Sequence, residues 1–281
     1  MRGWWRDLTD LVLPTDCAGC GAPRTTLCAR CRTALAGSAP RRVRPRPEPA
    51  GLPAVYASAP YAEAVRALLL AHKERGALTL TGALGAALAG AVRAGLDASA
   101  GTGTSGTVVL VPVPSARWAV RARGHDPVRR TALAAAGELR RTGTPARVAA
   151  VLRQRRPVAD QAGLDARRRL ANLAGALEVT AGGDRLLAGG RVVLVDDLVT
   201  TGASLAEAAR ALRIGGSRAV YENATREVRE ERSTGGPEKG KWRKRKWVHG
   251  AANKTPVNAL GSPPCAAVIA APVDSFEMNR N

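Results

Sequence analysis

Residues 192–204 read Val-Val-Leu-Val-Asp-Asp-Leu-Val-Thr-Thr-Gly-Ala-Ser. Four apolar residues lead into two carboxylates, and two further apolar residues precede a small turn that is rich in hydroxyl groups. A parallel strand that is buried on both faces is apolar throughout, as residues 192–195 are. Residues 205–212 then place apolar side chains at helical spacing. The segment therefore predicts a strand, a loop and a helix.

The loop ahead of this helix has the composition of a phosphate site. It comprises Thr200, Thr201, Gly202, Ala203 and Ser204. Unpaired backbone N–H groups and the helix dipole both favour an anion at the start of a helix. The loop is therefore predicted to hold a phosphate group.

Two carboxylates, Asp196 and Asp197, are predicted to lie at the end of the strand, beside that loop. They could reach sugar hydroxyls or act on Mg²⁺ through water. One loop could thus hold a ribose 5-phosphate by its phosphate and its diol. The alternative is an ordinary strand-to-helix turn with a helix-capping Thr or Ser, although two adjacent acids would have no role in such a turn.

These residues resemble the signature of the type I phosphoribosyltransferases, which bind 5-phosphoribosyl-1-pyrophosphate (PRPP). That signature has four apolar positions, two acids, two apolar positions and then Thr-Thr-Gly-x-Ser/Thr, and residues 192–204 fill every position. The resemblance implies that Asp196 and Asp197 are the catalytic residues and hold the ribose hydroxyls. It also implies that the 200–204 loop holds the 5-phosphate and that Mg²⁺ bridges the pyrophosphate and the ribose.

Four cysteines near the N-terminus form two Cys-x2-Cys pairs, Cys17 with Cys20 and Cys28 with Cys31. Together they can complete a closed, tetrahedral Zn²⁺ site with no catalytic position. Two disulfides are an alternative, but a chain without a secretory signal lies in a reducing compartment. A redox pair is another, but no strand and helix frame these cysteines. The sequence therefore predicts structural Zn²⁺, and it predicts that the fifth cysteine, Cys265, is an inert core residue.

Length and composition limit the remaining possibilities. The 281 residues suffice for one α/β domain and a small module. The formal net charge is +20, and most of the excess is Arg. Because base-composition bias in the coding DNA also produces a chain rich in Arg, Ala and Gly, the charge is only weak evidence for nucleic-acid binding.

The N-terminal segment predicts a short helix docked on the protein. Arg6, Asp7 and Asp10 interrupt its apolar residues, so it lacks the uninterrupted apolar core of a signal peptide. No later stretch of 18 residues is both uncharged and strongly apolar. We therefore expect no membrane span and a cytoplasmic location, while the oligomeric state stays open.

Three parts are predicted along the chain. Residues 1–37 hold the N-terminal helix and a zinc-ribbon-like module, and residues 38–53 form an extended, solvated linker rich in Pro and Arg. Residues 54–281 alternate strands (55–58, 107–113, 147–152, 176–179, 191–195 and 266–271) with helices (61–72, 79–98, 126–141, 165–171 and 203–214). This alternation predicts an α/β domain with a doubly wound parallel sheet that binds ligands at the carboxyl ends of its strands.

The order of zinc knuckles, Pro-rich linker and phosphoribosyltransferase-like domain is similar to that of the ComF family of competence-associated proteins. Further matching segments are Tyr61, His72-Lys73-Glu74-Arg75-Gly76, Val111-Pro112-Val113-Pro114-Ser115, Arg121-x-Arg123-Gly124-His125-Asp126, Gln161-x2-Leu164 and Arg169-x2-Asn172. His125 and Asp126 stand where the family more often has an aromatic residue and an Asn. The resemblance covers residues 5–220 and about 265–281. It implies a cytoplasmic protein linked to uptake of single-stranded DNA, whose partners would be that DNA or a DNA-uptake helicase.

Several charged and polar residues outside the main motif are candidates for the same site. Arg123 follows a predicted strand in a loop and could contact pyrophosphate, or it could be a solvated side chain. Lys73 is either a phosphate contact or a cation at a helix C-terminus. Gln161, Arg169 and Asn172 are candidates because the family resemblance and their spacing agree, although the last two could instead be structural caps. His72 is expected at a surface or a helix end.

Residues 221–264 interrupt the predicted domain. Five of the six lysines lie there, and Lys241-Trp242-Arg243-Lys244-Arg245-Lys246-Trp247 alternates basic residues with two indoles. Such a run could bind single-stranded nucleic acid by charge and stacking. The alternative is a disordered insertion, which its composition favours.

Three functions fit these motifs. The first is a ComF-like protein that binds PRPP or a ribose 5-phosphate nucleotide with Mg²⁺ and transfers phosphoribosyl to an acceptor that the sequence does not identify. The second is a non-catalytic adaptor in DNA uptake. The third is a regulator that senses PRPP.

Overall fold

The computed structural model describes residues 16–99, 106–158, 166–215 and 265–276. The predicted N-terminal helix, the candidate Gln161 and the insertion 221–264 lie outside these residues.

The described residues contain eight strands and eight α-helices. The strands are β1 (Arg41–Val43), β2 (Val55–Pro60), β3 (Val108–Pro112), β4 (Ala146–Val148), β5 (Leu152–Gln154), β6 (Leu177–Val179), β7 (Arg191–Leu198) and β8 (Cys265–Ala271). The helices are α1 (Ala29–Ala36), α2 (Glu63–Glu74), α3 (Thr81–Ala98), α4 (Arg117–Arg123), α5 (Pro127–Arg141), α6 (Ala166–Leu173), α7 (Gly183–Leu187) and α8, which spans 203–215. Short 3-10 helices cover Leu78–Leu80 and Val273–Ser275.

Six strands form one mixed sheet in the order β1-β2-β8-β7-β3-β4. All neighbours in it are parallel except β1 and β2. Alternate residues of β3 face opposite sides: Leu110 packs with α3 and α5, whereas Val109 packs with α8. Burial on both faces explains why these strands are apolar throughout. The predicted α/β class with a mostly parallel sheet is therefore confirmed.

The long helix α3 is a central element of one face of the sheet. Gly85 allows α3 to approach α5 closely, because a Cβ there would lie 2.5 Å from the Cβ of Ala134. Residues 78–98 are long and apolar enough to cross a membrane, with a mean hydropathy of 1.3 in the most apolar window, half of which is buried within the protein. Because core helices commonly meet this criterion, the finding is weak evidence for a membrane span.

The strand expected at 147–152 differs from its predicted structure. It is two short strands in different sheets, because the chain turns where the Val151 amide donates to Ala149 O (2.9 Å). β4 stays in the main sheet, and β5 pairs antiparallel with β6.

The helices α1, α4 and α7 were not predicted. They are short, with eight, seven and five residues, so their apolar periodicity is too brief to detect. The helix α1 begins directly after Cys28 and contains Cys31.

The segment 38–53 is more than the solvated linker that was predicted. Its residues Arg41–Val43 form the antiparallel edge strand β1, and Val43 is buried. Prolines are compatible with this edge because Pro40 and Pro45 flank the paired residues and remove no ladder hydrogen bond. The segment therefore belongs to the sheet.

The cysteine-containing residues pack against the same core as the sheet. Cys17, Cys31 and Leu35 are buried in one cluster with Leu68 of α2 and Leu88 of α3. The cysteine module therefore packs directly against α2, the helix whose last turn contains Lys73.

Candidate functional site

The carboxyl ends of β3 and β7 meet at one edge of the sheet because the two strands are adjacent and parallel. Asp196 and Asp197 lie inside β7, which continues to Leu198, three residues past the predicted end. Asp196 is in register with Val268 of β8. The central sheet therefore fixes the backbone of both acids.

Lys73 lies in the last turn of α2 and contacts this acidic pair. Its Nζ donates to Oδ2 of Asp197 at 3.1 Å, and the Asp197 side chain is 14% exposed. The negative charge of Asp197 raises the pKa of Lys73 despite partial burial. The structure thus brings Lys73 to the acids, although the two residues are 124 positions apart in sequence.

Asp196, like Asp197, is partly buried. Burial raises the pKa of its carboxyl well above the usual value, and repulsion from Asp197 raises it further, while Lys73 opposes both effects. Its Oδ1 accepts a hydrogen bond of 2.8 Å from the backbone N–H of Asp197. A ligand that offers hydroxyl donors or a cation would stabilise the charged form of this carboxylate.

The loop 200–204 turns sharply into α8. Gly202 has a φ of +74°, which favours glycine, and a Cβ there would lie 3.1 Å from side-chain atoms of Leu52 and Pro45. Thr201 Oγ1 accepts a weak contact of 3.5 Å from the Ala203 amide. A small cavity of about 30 Å³ lies along residues 198–205 and reaches Asp196. The residues at the start of the 13-residue helix and Asp196 thus line one cavity.

Arg169 reaches this loop from α6. Its Nη1 donates to Thr200 Oγ1 at 3.0 Å, and its buried Nε lacks a hydrogen-bond partner among the described residues. Asn172 lies on the same helix, but its backbone carbonyl accepts from Arg156 and it does not line the cavity beside the acids. The structure therefore brings Arg169, but not Asn172, to the candidate site.

Arg123 ends α4, so the prediction that it lies in a loop is wrong. Its Nε and Nη2 donate to the two carboxylate oxygens of Glu74, each at 2.8 Å. Arg123 also lines the cavity that contains Lys73 and the acids. The two cations from the predicted phosphate set, Lys73 and Arg123, are therefore each paired with a carboxylate of the protein.

His72 lies in the last turn of α2, which is one of the two positions expected for it, but it is buried rather than at the surface. Its Nε2 lies 3.1 Å from Thr81 Oγ1, and its ring meets that of His125 edge to face at 6.1 Å. Burial and the neighbouring His125 lower the pKa of His72 to about 4. Asp197 raises this pKa, but its effect is smaller than that of His125. His72, which precedes Lys73 in the sequence, is therefore a neutral core residue.

The acids lie in a larger cavity of about 330 Å³. Its walls are polar and apolar in similar measure, and the apolar part includes Val113, Leu173, Leu177 and the exposed Trp118 of α4. Sequence reasoning missed Trp118, although an isolated Trp three residues after the Pro-x-Pro-Ser segment at 112–115 was the available signal. It also missed Gln154, which lines the same cavity.

The four predicted zinc ligands are brought together. The Sγ atoms of Cys17, Cys20, Cys28 and Cys31 all lie within 4.8 Å of one another. The Cys20 and Cys28 sulfurs are 3.6 Å apart, which is far longer than a disulfide and close to the separation of ligands around tetrahedral zinc. Burial and the neighbouring sulfurs raise the pKa of Cys31, so a cation is needed for four thiolates to coexist there. The cluster is compatible with structural zinc.

Cys265 is buried and free, and burial raises its pKa to about 11. The prediction that Cys265 lies in the core is therefore confirmed.

Comparison with known proteins adds no relatives. No protein-family model matches the chain, and no curated protein matches it significantly. The function is therefore inferred from the residues of the site and from their geometry.

Proposed function

We propose that this protein binds PRPP, or a ribose 5-phosphate nucleotide, together with Mg²⁺, and that its domain is of the type I phosphoribosyltransferase kind. One observation carries the proposal: the 200–204 loop and the Asp196–Asp197 pair line two cavities at the carboxyl edge of a parallel sheet, and both cavities include Asp196, Leu198, Thr200 and Ser204. Ligands of such sheets bind at this edge. A phosphate at the helix start and a diol on the acids would occupy both ends of one ribose phosphate.

The acids would hold the ribose. The buried Asp196 carboxylate gains two hydrogen-bond donors when the diol arrives, which offsets the cost of its charge. Asp196 and Asp197 would hold Mg²⁺ through water, and the ion would supply positive charge that offsets the charge of the pyrophosphate.

The cations would then exchange partners. Lys73 leaves Asp197 and Arg123 leaves Glu74 as the pyrophosphate oxygens replace these carboxylates. Arg169 is already 3.0 Å from Thr200 Oγ1, so its guanidinium can add to the positive field around the 5-phosphate. The residues thus bind and orient the ligand by charge rather than by covalent chemistry.

In the transfer reaction, the C1–O bond to pyrophosphate breaks and its electron pair leaves with the pyrophosphate. A lone pair of the acceptor forms the new bond to C1, and the acceptor's displaced proton passes to solvent. Stabilisation of the leaving pyrophosphate by Lys73 and Arg123 would lower the barrier.

We further propose that Cys17, Cys20, Cys28 and Cys31 hold one structural Zn²⁺. All four ligand positions are protein sulfurs, so the ion would contribute to folding rather than to the reaction. The combination of this module with the ribose phosphate site supports membership of the ComF family, a cytoplasmic location, and single-stranded DNA or a DNA-uptake helicase as partners.

Isothermal titration calorimetry tests the ligand. PRPP should bind the wild-type protein in the presence of Mg²⁺. Asp196→Asn with Asp197→Asn should weaken binding at least tenfold, because charged hydrogen bonds contribute about 1.5–3 kcal/mol each. Asp97→Asn, which alters an exposed acid at the end of α3, is the matched control and should bind like the wild type.

Equal affinity in the wild type and the double variant would refute the site. Pyrophosphate release in the presence of candidate acceptors then separates the enzyme from a sensor or an adaptor. Binding without release for every acceptor would favour those non-catalytic functions.

A further inference from the structure

The four-cysteine cluster has a buried half and an open half. Cys17 and Cys31 are 3% and 0% exposed. Cys28 is partly exposed, and Cys20 is exposed. A Cβ at Gly21, which follows Cys20, would meet nothing within 4 Å among the described residues. A small solute can therefore reach the cluster at Cys20 before it reaches either buried sulfur.

The two sulfurs of the open half lie side by side. Sγ of Cys20 and Sγ of Cys28 are 3.6 Å apart, so an approach of about 1.5 Å would bring them to the length of a disulfide bond. Cys20 ends the turn at residues 18–20, and Cys28 precedes the first residue of α1. Neither residue lies inside a helix or a strand, so a local shift of the turn can supply that approach.

An accessible thiolate beside a second thiolate is the arrangement of redox-sensing cysteines. Bound zinc holds its cysteine ligands as thiolates, and the thiolate is the form of cysteine that acts as a nucleophile. Zinc binding by itself does not require an exposed ligand, so it does not explain the exposure of Cys20. Disulfides that form in a reducing compartment are usually transient and serve catalysis or redox sensing.

The buried half connects the cluster to the cavity that contains the acids. Cys31 belongs to the same buried cluster as Leu68 of α2, and a Cβ at Gly19 would lie 3.3 Å from Leu68 Cγ. The last turn of α2 carries Lys73, whose Nζ donates to Asp197 Oδ2 at 3.1 Å. Loss of the metal would thus remove support from the helix that positions Lys73.

We propose that Cys20 is the residue at which a peroxide oxidises this protein. The product is a disulfide between Cys20 and Cys28 with release of Zn²⁺, and this release weakens ligand binding in the cavity that contains the acids. The oxidation step rests on the proposed zinc site, and its effect on the cavity rests on the proposed ribose phosphate site. The cysteine module is then a redox switch for the ligand site.

The oxidation takes place in two steps. The Cys20 thiolate attacks one oxygen of hydrogen peroxide, the O–O bond breaks, and a sulfenic acid and a hydroxide ion form. The Cys28 thiolate then attacks the Cys20 sulfur, the S–O bond breaks, and a second hydroxide ion leaves. Two protons from solvent convert both hydroxide ions to water, so two thiolates are oxidised and one peroxide is reduced. Zn²⁺ keeps only two of its four ligands and dissociates.

Hydrogen peroxide is the probe for the full-length protein loaded with zinc. A limited dose should release one Zn²⁺ per chain to a chromogenic chelator. Peptide mapping should then find the Cys20–Cys28 disulfide, with Cys17 and Cys31 still as thiols. After the peroxide is removed, PRPP affinity measured with Mg²⁺ by titration calorimetry should be lower by about fivefold or more. A dithiol reductant with added zinc should reverse all three changes.

Cys20→His is the test variant, because histidine can replace a thiolate as a zinc ligand but cannot form a disulfide. It should keep its zinc after the same dose of peroxide. Cys265→Ala is the matched control, because it removes the one cysteine outside the cluster, and it should respond like the wild type. The peptide map of the wild type decides the oxidation site even if Cys20→His does not load zinc.

Oxidation that appears first at Cys17 or Cys31, or zinc that stays bound after Cys20 is oxidised, would overturn the oxidation site. Zinc release with unchanged PRPP affinity would overturn the switch. If the reduced wild type does not bind PRPP, the proposed function fails, whereas the disulfide and zinc measurements still test Cys20. If the purified protein holds no zinc, the proposed zinc site fails and this inference fails with it.

Discussion

The four-cysteine cluster takes all its ligands from residues 17–31, whereas the acid-lined cavity takes its side chains from segments between residues 73 and 204. The first site is fixed by a short turn and by α1. The second exists only when α2, α4, α6, β7 and α8 are all packed. A local site can be read from spacing alone, while a distributed site depends on tertiary contacts that spacing does not contain. The two sites nevertheless share α2, which contacts the cysteine module and carries Lys73 in its last turn.

The shared helix predicts that loss of zinc affects both sites. Cys31→Ser, at a fully buried ligand, should abolish the single Zn²⁺ per chain and lower the free energy of unfolding by several kcal/mol, because structural zinc binding is itself folding energy. It should also weaken PRPP binding, since α2 loses support under Leu68. Metal analysis, thermal unfolding and calorimetry measure the three effects.

Cys265→Ala is the control, because this buried cysteine lies outside the cluster. It should retain full zinc content. Unchanged PRPP affinity in folded, zinc-free protein would show that the cysteine module is energetically independent of the cavity.

The buried His72 predicts a pH dependence of stability that is separate from that of the cysteine cluster. Its pKa is lowered to about 4 by burial, and His125, Asp197 and Arg130 are the charged or titratable groups around it. The unfolded chain therefore binds a proton near pH 6.5 while the folded protein does not. Stability is complete above about pH 6.5, falls as the pH drops, and levels off below about pH 4.

The expected loss between pH 7.5 and pH 5 is about 2 kcal/mol, from 1.36 kcal/mol per unit of pKa difference. His72→Gln cannot be protonated and should lack this part of the slope. Urea unfolding of both proteins at the two pH values, with saturating zinc, measures the difference. If the stability of both proteins depends on pH in the same way, folding does not lower the pKa of His72.

A substitution at Gly202 tests whether the contact between the 200–204 loop and the segment 38–53 matters for stability and for ligand binding. Gly202→Ala must adopt a left-handed φ, which costs about 1–2 kcal/mol, and must displace Leu52 and Pro45. We expect that loss of stability together with weaker binding of ribose 5-phosphate. Gly182→Ala is the control, since its φ of +72° is similar but a Cβ there meets nothing within 4 Å.

Gly182→Ala should therefore lose stability without losing affinity. If the two variants lose equal affinity, the contact of the loop with Leu52 and Pro45 has no role in the binding site.

Much of the fold and part of the site could be predicted from the sequence. The motif strand, its acids and the cysteine ligands are local patterns, and the structure has them where they were expected. The edge strand β1 was missed because its three residues sit among prolines, and α4 was missed because it has only seven residues. The bend between β4 and β5 has no signature in the apolar pattern.

The partners of the cations could not be predicted, since they depend on packing between distant elements. Lys73 was assigned to phosphate or to a helix end, and the structure pairs it with Asp197. The exposed indole of Trp118 and the burial of His72 likewise follow from how α4, α2 and α3 pack, which a single sequence does not specify.

The smallest expected effect concerns the ion pair between Arg123 and Glu74, which is the outermost contact of the distributed site. The Glu74 side chain is 46% exposed, so Glu74→Gln should change the free energy of unfolding by less than about 1 kcal/mol. The same change frees Arg123 from a competing carboxylate, so affinity for pyrophosphate with Mg²⁺ should rise a few-fold. Glu138→Gln, which breaks a different surface ion pair with Arg141, is the control and should leave that affinity unchanged. A fall in pyrophosphate affinity in Glu74→Gln would mean that Glu74 positions Arg123 for the ligand, and the rim of the cavity would then be preorganised rather than held shut by its own carboxylate.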